Sequence, residues 1–190
     1  MAGLIQPFFM KFYPLSFQAD CGVFELDSLT GALLIQKKMR VACRDHFPQK
    51  LIDGLDHCNH PYTLKQTQIP PVISSGIFEA WASSTIIRLY SWNFRIAQLY
   101  ASLPARRFDT AIEAIVSFRS MNHSRSQDEL CLPRALFAAK TSRAFPEKGV
   151  VFIGVFLPSR NMHAWVIENG TLVDPQDRIW LNFRPVAALC

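Results

Sequence analysis

Three residues in the second half of the sequence have side chains that could form a cysteine-dependent catalytic triad: Cys131, His163 and Asp174. Cys131 stands just before Pro133, and proline is tolerated inside a helix only in the first turn. We therefore expect Cys131 at the N-terminus of a helix, where the helix dipole favours the nucleophilic thiolate. The unpaired backbone N–H groups of that turn could also donate to an oxyanion, so one helix would supply both nucleophile and oxyanion hole.

A predicted β-hairpin brings His163 and Asp174 together. Asn169-Gly170 is a strong signal for a two-residue turn in which Glu168 faces Thr171. Counting outwards from that pair makes Asp174 the diagonal neighbour of His163, and strand alternation points both side chains to the same side of the sheet. A carboxylate beside an imidazole fixes its tautomer and stabilises its protonated form, which a catalytic base requires.

Each of these residues also has a simpler structural interpretation. A single histidine on a strand is usually a hydrogen-bonded structural residue, and Asp-Pro commonly ends a strand. The combination of a cysteine at a helix start, a strand histidine and a diagonal aspartate is what favours catalysis. We expect Trp165 to pack in the core behind the site and Arg134 to be a solvated helix residue.

The first third of the chain reads as a small α+β unit. Residues 11–36 alternate as three strands, "FYPLSF", "GVFELD" and "GALLIQ", and residues 38–59 predict two short helices that Pro48 separates. Strands followed by helices are typical of an α+β fold. The proline-rich segment 60–76 has no clear period and is a candidate linker. We place the boundary near residue 72, which gives one domain over 1–72 and another over 73–190.

The second domain is predicted to consist of helices followed by a final group of strands. Shorter helices are predicted over 109–119 and over "CLPRALFAAKTSRAF", followed by the strands "VVFIGVFL", "MHAWVIE" and "TLVDP". Before them, residues 78–103 predict one long amphipathic helix whose core face repeats every three or four residues: Phe78, Trp81, Thr85, Leu89, Trp92, Ile96, Leu99 and Leu103.

Composition narrows the class of protein. The net charge is only +5, and the longest basic runs are pairs, so no nucleic-acid partner is expected. Five irregularly spaced cysteines favour reduced thiols in a cytoplasmic protein over a disulfide framework. The apolar N-terminus lacks a basic n-region, and no run of ~18 uncharged apolar residues exists, so neither a signal peptide nor a membrane span is expected.

Three segments together, "CLPRALFAA", "VVFIGVFLPSRNMHAWVIENG" and "TLVDPQD", resemble the leader peptidases of lasso-peptide biosynthesis, the B proteins. The resemblance covers roughly residues 75–190 and implies a papain-related, transglutaminase-like domain with helices packed on an antiparallel sheet. Cys131 matches the family's nucleophile, His163 its general base and Asp174 its orienting acid. One departure is Ile167, an apolar residue where an acid is common in the family.

The resemblance also implies a function for the N-terminal domain. "GVFELDSLTGALLIQ" is similar to the central strands of a fused, winged-helix-like leader-recognition module, in which the leader of the lasso peptide precursor adds a strand to an exposed sheet edge. The implied activity is leader removal by a thiol protease, and the implied partner is an asparagine-synthetase-like macrolactam cyclase. No cofactor is expected in this chain, and the sequence leaves a requirement for ATP open.

Other interpretations remain open at this point. The same thioester chemistry serves an acyltransferase or transglutaminase, and a peptide-binding accessory protein would use the sheet edge alone. Gln127 is a weak candidate for a side-chain oxyanion donor. Cysteines and histidines between Cys43 and His60 could form a zinc site, although their spacing matches neither a finger nor a ribbon.

Overall fold

The computed structural model has a mixed α/β architecture, with six helices, a six-stranded sheet and a three-stranded sheet among the residues that it describes. These residues are 10–15, 17–19, 22–30, 32–36, 47–59, 65–66, 70, 76–103, 105, 107–126, 129–157, 159–173 and 182–190.

The elements follow one another as β1 (Phe12–Pro14), β2 (Phe17–Ala19), β3 (Gly22–Leu26), β4 (Leu33–Gln36), α1 (Gln49–Asn59), β5 (Lys65–Gln66), α2 (Ile77–Trp92), α3 (Phe94–Ser102), α4 (Ala111–Met121), α5 (Cys131–Thr141), α6 (Phe145–Lys148), β6 (Gly149–Phe156), β7 (Asn161–Glu168), β8 (Thr171–Leu172) and β9 (Arg184–Leu189).

The larger sheet has the order β1-β9-β6-β7-β8-β5 and is antiparallel except for the last pair. Helices cover both of its faces. Val151 and Val166 face the core that α2 to α5 complete, whereas Phe152 and Trp165 face the core that α1 closes with Leu51. This alternation explains why β6 and β7 are continuous apolar runs, since each strand buries both faces.

The two short β-strands at the sheet edges come from the N-terminal third of the chain. Phe12 pairs with Leu189 in β9, and Lys65 pairs with Thr171 in β8. The predicted strand "FYPLSF" is therefore two strands, of which only the second joins the small meander β2-β3-β4. The sequence analysis did not predict β5 or β9, and strands from both sides of residue 72 share one sheet.

The prediction of one long helix over residues 78–103 is wrong. Helix α2 ends at Trp92, and Asn93, in an extended conformation, is the N-cap residue of α3. Its side chain accepts a hydrogen bond from the backbone N–H of Ile96 at 3.1 Å. Asparagine is a preferred N-cap because its short side chain satisfies one of the free amides of a first turn.

The predicted core face of that helix is wrong for four of its eight residues, whereas Phe78 and Leu89 do pack against the core. Trp81, Trp92, Leu99 and Leu103 are exposed, with Trp92 at 75%. Most of the residues that α2 and α3 bury are small, and the full set is Ala82, Ser83, Ile86, Phe94, Ala97, Gln98, Ala101 and Ser102. Small side chains let a helix approach its neighbours closely, and packing here outweighs the hydrophobicity of the larger residues.

Candidate active site

Cys131 is the first residue of α5, as Pro133 predicted. Leu130 is the N-cap residue of α5. Its side chain has no hydrogen-bond acceptor, so it cannot cap the amides of Cys131 and Leu132. Cys131 is nearly buried, with 8% exposure. At this position the positive end of the helix dipole favours the thiolate form of a cysteine.

Arg134 is a correction to the sequence analysis. Its side chain was expected in solvent, yet it is 4% exposed and lines a narrow crevice together with Cys131 and Ala135. A buried guanidinium always keeps its charge. Arg134 therefore adds fixed positive charge within the turn that carries the candidate nucleophile.

His163 lies near the start of β7, where it pairs with Gly154 of β6. The hairpin beyond it has the predicted register, since Glu168 pairs with Thr171, and both turn residues have positive φ, 52° at Asn169 and 68° at Gly170. Two consecutive positive φ values define a type I′ turn, whose twist matches that of the strands it joins.

The imidazole of His163 lies among aromatic rings. Its centroid is 6.4 Å from the ring of Trp165 in a stacked arrangement and 5.2 Å from the ring of Phe183. Trp165 in turn stacks on Phe152 and is buried in the core behind the site, as predicted. These contacts put the imidazole on the sheet face that α1 covers.

Cys131 packs against the other face of the same strand, where Ala164 and Val166 point towards α5. No hydrogen bond joins Cys131 to His163 in the described part of the chain. The two residues nevertheless line one cavity of about 140 Å³ at the N-terminal end of α5. Both residues therefore lie at this cavity, near the beginning of β7, without direct contact between the thiol and the ring.

Three of the other residues that line the cavity, Leu132, Met162 and Ala164, are sequence neighbours of Cys131 or His163. The other five come from distant segments, and the sequence analysis named none of them as part of a site: Leu26, Thr30, Tyr90, Phe94 and Ile153. Only the packing of the N-terminal meander and of α2 and α3 around the start of α5 brings them together. No local motif could have identified them.

Tyr90 is a polar residue of this wall whose pKa depends in part on the charge of Cys131. Burial raises the pKa of Tyr90, and the negative charge of a Cys131 thiolate raises it further. The phenol therefore stays protonated at neutral pH and keeps a hydrogen-bond donor at the cavity wall.

Glu168 ties the far end of β7 to the helices. Its carboxylate accepts hydrogen bonds from the backbone of Ala111 at 3.1 and 3.2 Å and from the hydroxyl of Ser142 at 3.2 Å. Ser142 is the C-cap of α5 and Ala111 the first residue of α4. Burial raises the pKa of Glu168, while these donors partly oppose that effect.

Helix α5 and strand β7 thus run side by side in the same direction. The 11 residues of α5 rise about 16 Å, and a strand covers that distance in about five residues, the separation of His163 from Glu168. The Glu168 contact lies at one end of this helix–strand pair, and the cavity with Cys131 lies at the other.

Several predicted site residues lie outside the described residues. Asp174 and Gln127 are among them, and so are most members of the possible zinc site. Within the described ranges, no group of three or more metal-binding side chains occurs, and the three cysteines there are free: Cys58, Cys131 and Cys190. None of the described helices has both the length and the apolar character to cross a bilayer.

Comparisons with protein-family models, with curated proteins and with solved structures give no match. A functional assignment therefore depends on the residues and geometry of the site itself.

Proposed function

We propose that this protein is a cytoplasmic cysteine peptidase that removes the leader from a ribosomally made lasso peptide precursor. The observation that carries the proposal is the position of Cys131, the first residue of α5, at the wall of a cavity that His163 shares. A thiol at a helix N-terminus beside a cavity combines an activated nucleophile with a place for the scissile carbonyl.

In the proposed reaction, the thiolate sulfur of Cys131 forms a bond to the scissile carbonyl carbon, and His163 holds the thiol proton. The developing oxyanion accepts hydrogen bonds from the first-turn amides of α5, with the Tyr90 hydroxyl as a further donor. Collapse breaks the C–N bond, and the leaving amine takes the proton from His163. Water, deprotonated by His163, then hydrolyses the thioester and regenerates the thiol.

Asp174 is the proposed orienting acid. The hairpin register supports this role as far as the described strand extends, because the backbone of Val173 donates to Val166 at 3.0 Å. One further residue in the same register would put Asp174 diagonal to His163.

The mechanism requires the imidazole to move from the sheet face that α1 covers towards Cys131, which packs against the other face. Alkylation of Cys131 by iodoacetamide as a function of pH tests whether His163 assists the thiol. If His163 assists the thiol, His163→Ala changes the pH profile of the alkylation rate, whereas an unchanged profile excludes the proposed pairing.

The small sheet is the proposed site of leader binding. Its strands β2 and β4 are edges, and β4 exposes Leu34 and Ile35. An extended peptide that adds to such an edge gains affinity from backbone pairing and specificity from side-chain pockets. An asparagine-synthetase-like macrolactam cyclase is the proposed partner that uses the freed amine.

Mass spectrometry of the precursor peptide encoded beside this protein tests the peptidase. Wild type is expected to give two fragments split at the leader–core junction, and Cys131→Ala to leave the precursor intact. Parallel incubations with the cyclase, with and without ATP, determine whether turnover needs them. An intact precursor under all of these conditions would refute the peptidase.

A second candidate, a leader-binding accessory protein, is favoured by one observation. The imidazole of His163 is held between Trp165 and Phe183, without a hydrogen bond to Cys131, as a structural residue would be. This protein would bind the precursor with the same dissociation constant after His163→Ala and would not cleave it. Product masses also separate a peptidase from an acyltransferase, because transfer to an amine adds the mass of the acceptor.

A further inference from the structure

The cavity beside Cys131 has a wall that comes from the N-terminal meander. Strand β3 ends at Leu26, and a turn over residues 28–30 leads towards β4. Leu26 is buried, Thr30 is exposed at the turn, and both line the cavity. The unit proposed to bind the leader therefore reaches the candidate nucleophile itself.

Hydrogen bonds fix the shape of this turn. The carboxylate of Asp27 accepts from the Thr30 hydroxyl at 2.6 Å and from the backbone of Leu29 at 3.0 Å. The backbone of Asp27 donates to the carbonyl of Ala32 at 2.9 Å. An aspartate that bonds its own turn in this way holds one backbone conformation without help from a ligand. Thr30 is thus positioned before any substrate arrives.

The dimensions of the cavity suit one side chain. Its volume is about 140 Å³, close to the roughly 150 Å³ of an apolar protein cavity that accepts benzene. Whole-ligand pockets usually exceed ~300 Å³. None of the described residues that line it carries a carboxylate, an ammonium or a guanidinium group, and its titratable side chains are those of Cys131, His163 and Tyr90. An uncharged group of aliphatic or single-ring size matches both the volume and the walls.

We infer that the β3–β4 turn is a specificity element of the catalytic cleft, in which Leu26 and Thr30 limit the size of the uncharged substrate side chain next to the scissile bond. The inference rests on the proposed peptidase for its substrate and on the cavity for its geometry. Asp27 is a positioning residue, since it acts through Thr30.

Alkylating probes of graded size test this wall without requiring a peptide substrate. N-isobutyl iodoacetamide and N-[2-(indol-3-yl)ethyl] iodoacetamide are reacted with the full-length protein, and mass spectrometry gives the rate at which each modifies Cys131. Leu26→Ala enlarges the cavity and is expected to raise the rate of the indole probe relative to the isobutyl probe about tenfold, since one methylene in such a pocket changes selectivity by roughly that factor. Thr30→Phe narrows the cavity and is expected to shift the ratio in the opposite direction.

Leu29→Ala is the matched control, because it makes the same chemical change in the same turn at an exposed residue that does not line the cavity. Circular dichroism verifies that each variant folds, and Thr30→Phe keeps the test valid if Leu26→Ala does not. A rate ratio that stays within twofold of wild type in the folded variants would overturn the inference. Precursor cleavage is read separately, so a failed peptidase and a failed specificity wall give different results.

Discussion

Glu168→Ala perturbs the end of the helix–strand pair opposite the cavity. The substitution leaves the amide of Ala111 and the hydroxyl of Ser142 without their carboxylate acceptor. Hydrogen bonds to a charged group contribute about 1.5–3 kcal/mol, and burial of the carboxylate, which raises its pKa, offsets part of that gain. We expect a net loss of about 1–2 kcal/mol in the free energy of unfolding, or roughly 2–8 °C in Tm.

Urea unfolding followed by tryptophan fluorescence measures this loss, and two variants serve as controls. Glu147→Ala removes an exposed glutamate from α6 and should change stability by less than about 0.5 kcal/mol. Glu168→Gln keeps an acceptor oxygen and should be at least as stable as wild type at pH 7. A loss below about 0.5 kcal/mol for Glu168→Ala would refute the view that this contact holds β7 against α4 and α5.

The raised pKa of Glu168 also fixes the sign of a pH dependence. The folded state binds the proton more tightly than the unfolded state, so the stabilising contribution is complete below the ordinary value of 4.5 and is lost as pH rises through the folded pKa. The stability of wild type should therefore fall relative to Glu168→Gln over this window. A constant difference between the two proteins from pH 4 to pH 7 would contradict the assignment.

Two further predictions concern the strands and the cysteines. In Gly154→Ala the new Cβ would lie 2.7 Å from the ring of Trp165. We expect this overpacking to lower the free energy of unfolding by about 1–3 kcal/mol and to lower Tm in thermal unfolding. An unchanged Tm would show that the sheet accepts the methyl group. Burial raises the pKa of Cys58 to about 12 and that of Cys190 to about 11, so iodoacetamide at pH 7 should label Cys131 before these two thiols. Peptide mapping that finds Cys58 or Cys190 labelled earlier than Cys131 would contradict this.

The parts of the fold with a local physical cause could be predicted from the sequence. Pro133 marked the start of α5 because proline fits only a first turn, and Asn169-Gly170 fixed the register of β7 on β8 because a type I′ turn allows one pairing. The apolar segment "VVFIGVFL" predicted a strand, and β6 lies there. The positions of Cys131 at a helix start and of His163 on a strand could be predicted for the same reason.

The features that depend on distant packing could not be predicted. Strand β9 carries no turn signal of its own, and only its position between β1 and β6 identifies it. The burial of Arg134 depends on the surroundings of α5, whereas its sequence neighbours suggested an exposed helix face. The side of β7 from which His163 meets the cavity also depends on which helices cover each face, and alternation alone does not give that.

The pairing of β1 with β9 imposes an order on folding during synthesis. Phe12 is synthesised early, and its partner Leu189 follows only after the segments that carry β2 to β8 and all six described helices. At ~5–20 residues per second, the N-terminal strand waits roughly 10–40 s for its neighbour, and contacts this distant in sequence also form slowly after release. Until then β1 has an unpaired edge. The larger sheet therefore cannot be completed until β9 has been synthesised, so it does not form stepwise along the nascent chain.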